Sequence, residues 1–158
     1  MKYHLALLFC CICFFSYGQE KSISTEKQLA LTYFEEVLNN KKLDLLNTLF
    51  DPEFVFHGVD GKDHQIIKDS SIVRFLKYLF KAFPDLHYTV DVAVAQDTDV
   101  GVYVTASGTH RDEFHGFPAS GNKISFREAF FFRIRNSKIT EAWGIVDLEG
   151  MKDQLKKE

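Results

Sequence analysis

The chain has 158 residues, of which 46% are hydrophobic and 26% charged, with a formal net charge of −3. That is enough for one domain with a real core, and the weak acidity lacks the basic footprint of a nucleic-acid binder. Aromatic residues make up 15%, and 16 residues are phenylalanine, so the chain builds either a thick core or an aromatic-lined pocket.

Lys2 and His4 precede an apolar run from Leu5 to Phe15, followed by Ser16-Tyr17-Gly18. A charged start, a short apolar stretch and small residues at −3 and −1 predict a secretory leader, residues 1–18, cleaved after Gly18 or one residue later. The run is too short for an ordinary membrane-spanning helix, so no stable membrane insertion is expected once it is removed. A lipid anchor on Cys10, Cys11 or Cys13 is the rival, but Phe9, Cys10 and Ile12 stand where a small residue is expected. Export places residues 19–158, a single domain, in the periplasm or outside the cell. All three cysteines leave with the leader, so the mature chain has no disulfide, thiol nucleophile or thiolate metal site.

Thr25 opens the first predicted helix, with Gln28 completing a capping-box pattern, and Ala30, Tyr33, Phe34, Val37 and Leu38 form one apolar stripe. Asn39-Asn40 closes it. A shorter helix carries Leu43, Leu46, Leu49 and Phe50 and stops at Asp51-Pro52. Glu53 to Gly58 reads as a strand with Phe54 and Phe56 on one side and Val55 and His57 on the other; 58–64 reads as loop. Asp69 or Ser70 then caps a third helix, in which Ile72, Phe75, Leu76, Leu79, Phe80 and Phe83 keep helical spacing until Pro84.

From Leu86 the period becomes that of a strand. Leu86, Tyr88, Val90, Val92 and Val94 share one face, and after a turn at 96–99 so do Val100, Val102, Val104, Ala106, Gly108 and His110. His110 falls at the roomier end of that face, as a pocket residue or as an ordinary strand-end histidine. Residues 111–122 form a Gly- and Pro-marked loop long enough to border a pocket. Two aromatic and β-branched runs then flank Asn136-Ser137, a hairpin signal, and a tail helix spans about Leu148 to Leu155.

With Arg135 facing Lys138, uniform pairing sets Phe132 opposite Glu141, Phe130 opposite Trp143, Glu128 opposite Ile145 and Phe126 opposite Asp147. Glu128 and Asp147 then share one apolar face, with backbones roughly 7 Å apart. Desolvation and mutual repulsion would raise a carboxyl pKa there and suit it to moving a proton near neutrality. If the end of the sheet is open to water, both acids are instead solvated, and a one-residue slip would separate their faces. The chain has no phosphate-binding glycine loop and no Gly-x-Ser-x-Gly turn. Its histidines lack helical metal-site spacing, so neither metal nor cofactor is expected. Helices followed by a strand meander indicate an α+β domain.

AFPDLHYTV (82–90), ASGTHRDEFHGFPASGNKI (106–124), FRIRNSKITEAWGIVD (132–147) and the closing DQL (153–155) together resemble the SnoaL-like polyketide cyclases, the ester cyclase family. The resemblance implies an NTF2-like cone: three N-terminal helices packed on a strongly curved antiparallel sheet enclosing a cavity. It also implies cofactor-independent aldol closure or isomerisation of a small apolar carbonyl compound, with Asp147, in W-x-x-x-D, as proton donor and acceptor. His110 matches the histidine of the family's GTH motif at the cavity mouth. Glu128 enters from the register alone. His57, Phe126, Phe130 and Trp143 join His110 as candidate ligand-contacting residues. The alternative is an exported module that binds a small apolar molecule without chemistry, and either form could be a homodimer.

Overall fold

The computed structural model describes residues 23–68 and 70–156; the predicted leader and Asp69 lie outside them. Helix α1 (Thr25–Thr32) continues without a break into a π-helical segment, Tyr33–Asn39. Its cap is Ser24, one residue before the expected Thr25, with Ser24 Oγ accepting from the Lys27 amide at 3.2 Å. The predicted stripe is the buried face: Ala30, Tyr33, Phe34, Val37 and Leu38 are all buried. A 3-10 turn (Leu43–Leu45) leads into α2 (Leu46–Leu49), and β1 (Phe50–His57) starts ahead of Pro52 rather than after it. A two-residue strand, β2 (Asp63–His64), pairs with β1 in a segment expected to be loop. Helix α3 (Ser71–Ala82) follows, with Ser70 at its start in a left-handed conformation and making no side-chain cap.

The meander is β3 (His87–Gln96), β4 (Asp99–Thr109), β5 (Lys123–Arg135) and β6 (Lys138–Val146), closed by α4 (Leu148–Leu155). Asn136 and Ser137 both adopt positive φ, 51° and 58°, as a two-residue hairpin loop of the mirror-image type requires. Val100, Val102, Val104 and Ala106 of β4 all face the core, as the alternation predicts. On β3 the alternation breaks: the register slips between Val90 and Val92, so Val92 and Val94 face outward and are exposed while Ala93 packs against the core.

The sheet corrects the expected strongly curved antiparallel cone. Its order is β2-β1-β6-β5-β4-β3, leaving β2 and β3 as free edges, so it does not close on itself. It is mixed, because β1 runs parallel to β6. That pairing is interrupted between Phe50 and Val55, where Pro52 has no amide proton to give to a ladder. Helices and sheet bury one continuous core between them, and the space left there is an open-sided cleft rather than an enclosed cavity. Among the described residues no helix is long and apolar enough to cross a membrane.

Candidate active site

The second register slip decides the site. Arg135 and Ile134 pair with Lys138 and Ile139 as expected, but Arg133 then pairs with Glu141, Phe132 with Ala142, Phe131 with Trp143 and Glu128 with Val146. Thr140 is the extra residue, its Oγ1 donating to the Arg133 carbonyl at 3.1 Å. A bulge of one residue moves everything after it to the opposite face. Phe126, Glu128, Phe130 and Phe132 therefore point toward the helices together with Ala142 and Val146, while Trp143 and Ile145 point away.

The expected carboxylate pair is thus not formed. Asp147 sits at the exposed start of α4, where its Oδ1 accepts from the Gly150 amide at 3.0 Å as an N-cap. Trp143 lies on the outer face, stacked on the His57 ring at 4.4 Å between centroids, with the Arg133 guanidinium 5.3 Å from its centre. His57 is held by Asp63 Oδ1 at 2.7 Å and Glu141 Oε2 at 3.1 Å. His110 is fully buried, stacked on Phe83, with Nδ1 3.0 Å from Ser120 Oγ; burial pushes its pKa down. Neither His57, His110, Trp143 nor Asp147 belongs to the cleft wall, whereas Phe126, Phe130 and Glu128 do.

The cleft has a volume of about 390 Å³. Its floor is Phe126, Glu128, Phe130 and Phe132 of β5 with Ala142 and Val146 of β6. Phe50, Phe54 and Phe56 of β1 form one wall, and Ile72, Leu76 and Leu79 of α3 another. Phe114 and His115 of the 111–122 loop and Leu148 and Met151 of α4 complete it. Phe75 and Leu148, about half exposed, mark the open side. Gly144 lies against the floor, and a Cβ there would stand 3.0 Å from the Phe130 ring, which would have to shift to make room.

Among the described residues, Glu128 is the only carboxylate in this wall. It is 7% exposed, and its Oε2 has no hydrogen-bond partner among the described residues. Desolvation drives its pKa up to about 8, because an apolar environment disfavours the charged form and, among the described residues, no lysine or arginine lines the cleft to offset it. Tyr33 and Tyr88 also face the cleft, with Ser71 and His115 at its edge, and neither tyrosine hydroxyl is hydrogen-bonded among the described residues. Burial raises the pKa of Tyr33 and Tyr88, and the charge of Glu128 raises both further. From sequence both read only as core positions; the available signal is a tyrosine on each of two otherwise apolar faces, where a buried hydroxyl wants a partner.

Tyr33 is presented by the π-helical segment. Tyr88 is fixed by that segment's end: Asn39 Nδ2 donates to the Tyr88 carbonyl at 3.0 Å, and the Tyr88 amide donates to Asn39 Oδ1 at 2.8 Å. The side chain thus pairs with edge strand β3 as a neighbouring strand would. The floor is secured at the other end by Gln154, which exchanges two hydrogen bonds with the Ser125 backbone and holds α4 against β5. Among the described residues, no three His, Asp or Glu side chains are grouped as a metal-ligand set.

A sequence profile of the SnoaL-like polyketide cyclases matches residues 28–155. Similar solved structures include IdmH from Streptomyces antibioticus, a proposed polyketide cyclase, at 25% identity and TM-score 0.72, covering 84% of this chain and 99% of that one. AclR from Streptomyces galilaeus, a proposed hydroxylase, aligns at 24% identity and TM-score 0.74 over 82% of this chain and 94% of its own. A SnoaL-like protein from Jannaschia sp. CCS1 aligns at 20% identity and TM-score 0.74 over 83% and 91%. No curated protein matches the chain.

Proposed function

The chain belongs to the SnoaL-like polyketide cyclase family, and we propose that it performs cofactor-independent acid/base chemistry on a small carbonyl compound, with Glu128 moving the proton. The observation that carries this reading is a single buried carboxyl group with one unpartnered oxygen at the floor of an apolar cleft, poised near pH 8. In this reading Glu128 takes the role that the family resemblance assigned to Asp147, which caps a helix on the outside.

The ionised Glu128 removes a proton from the carbon next to the carbonyl, and the electron pair moves onto the carbonyl oxygen as an enolate. Tyr33 and Tyr88 donate hydrogen bonds to that oxygen, where negative charge develops. The enolate carbon then attacks a second carbonyl, closing a ring, and Glu128 returns its proton to the new alkoxide. Where the carbonyl is conjugated with a double bond, the dienolate instead takes the proton back from Glu128 at its far end, giving an isomer. A base of pKa near 8 suits this proton transfer, since it is strong enough to take the proton yet still roughly one-tenth ionised at pH 7.

Because the free enzyme must carry the ionised base, kcat/KM should rise about tenfold per pH unit and level off above the Glu128 pKa, near 8. Proton–deuterium exchange next to the carbonyl of a simple ketone, followed by NMR, reads this without knowledge of the natural substrate. Glu128→Gln should lower the exchange rate by about 100-fold or more, whereas Asp147→Asn should leave it within about threefold. Loss in Asp147→Asn with exchange kept in Glu128→Gln would return the role to Asp147. Ketone binding without exchange would make the cleft a binding module.

A further inference from the structure

The polar inventory of the cleft restricts what can enter it. Of the described residues that line it none is lysine or arginine; those able to bear charge are Glu128, Tyr33, Tyr88 and the rim residue His115, and Ser71 adds a neutral hydroxyl. A carboxylate or phosphate brought inside would lose its water and meet a carboxyl group instead of a cation, which is strongly unfavourable. The unsatisfied groups all favour a neutral acceptor. When Glu128 is protonated its hydroxyl has nothing to donate to, and the Tyr33 and Tyr88 hydroxyls stand in the same condition. One carbonyl oxygen on a ligand answers this need.

Size adds a second limit. About 390 Å³ lies toward the small end of ligand cavities. At the packing density of protein interiors it holds on the order of fifteen non-hydrogen atoms. Phenylalanines 54, 126, 130 and 132 around it suit the flat faces of a ring.

We propose that the cleft takes a neutral apolar ketone or aldehyde of one or two fused rings, held by its carbonyl oxygen, and that it rejects both carboxylate-bearing analogues and four-ring compounds. The inference rests on the cleft being the substrate site, but not on turnover there.

Calorimetric titration of the mature chain with four probes tests it: 1-tetralone, 2-decalone, a 1-tetralone carrying a ring carboxylate, and the four-ring ketone androst-4-ene-3,17-dione. The two neutral bicyclic ketones should bind with Kd below about 1 mM. The carboxylate should bind at least about 30-fold more weakly and the four-ring ketone at least about tenfold more weakly. Glu128→Gln, which keeps a neutral donor at the same place, should hold the bicyclic ketones within about threefold of the unmodified chain. Carboxylate binding as tight as that of 1-tetralone overturns the proposal, as does equal affinity for the four-ring ketone or no binding of either bicyclic ketone. Ketone binding without proton exchange would sink the catalytic reading alone. Proton exchange confined to a larger or charged carbonyl compound would sink this inference alone.

Discussion

A carboxyl group surrounded by phenylalanine rings stays protonated well past the pH at which it would ionise in water, and its folded-state cost follows from that. Glu128 has a folded pKa of about 8 against an ordinary 4.5. Between those values the unfolded chain releases the proton while the folded chain keeps it, so folding stability falls as pH rises from about 4.5 to about 8 and then stays level. Glu128→Gln removes that penalty. Urea denaturation should show the variant gaining nothing at pH 4, about 3 kcal/mol at pH 7 and about 5 kcal/mol at pH 9. A gain that does not depend on pH would mean that Glu128 is solvated. Glu128 is legible in the sequence because it shares the parity of Phe126 and Phe130 on a regular strand. Asp147 is not, because its face depends on every residue between it and the hairpin loop, and one of those is extra.

That extra residue belongs to the scale of the element. Thr140 allows β6 to bury Ile139 and still present Ala142 and Val146 to the core, positions whose spacing no regular strand reconciles. Deleting Thr140 should force either Ile139 or the Ala142–Val146 set onto the solvent side. The expected loss is on the order of 3 kcal/mol or more in a urea titration. A deletion variant as stable as the parent would show that the strand shifts register freely. The slip near Asp91 does the same to β3, turning Val92 and Val94 outward. Neither bulge carries a glycine or any other local marker, so alternation alone predicts regular strands in both places. The helix stripes read correctly because 3.6-residue spacing is tested over several turns. The π-helical continuation that presents Tyr33 and Asn39 leaves no trace in that spacing.

At the scale of the molecule, the order of helices and strands is legible, and so is the family, because both depend on local periodicity and short motifs. The parallel pairing of β1 with β6 is not, since it joins strands far apart in sequence and nothing in either names its partner. The family resemblance implies a strongly curved antiparallel cone, and an open mixed sheet of six strands is found. The cleft is consequently bounded on its open side by single side chains such as Phe75 and Leu148 rather than by a closing strand. We propose, from the charged start, apolar run and Ser16-Tyr17-Gly18 ending, that the chain is exported. Intact mass of the protein recovered from the periplasm of a bacterial host should correspond to a chain beginning at Gln19; recovery only of full-length chain in the cytoplasm would contradict export.

The central claim is that Glu128 holds its proton near neutrality in the cleft. Carbon-13 NMR titration of the glutamate side-chain carboxyls, with Glu128 assigned by its loss in Glu128→Gln, measures this directly. Glu128 should titrate near pH 8, several units above its ordinary 4.5. If the Glu128 resonance instead moves near its ordinary 4.5, the carboxyl is hydrated, and the acid/base role proposed for it is wrong.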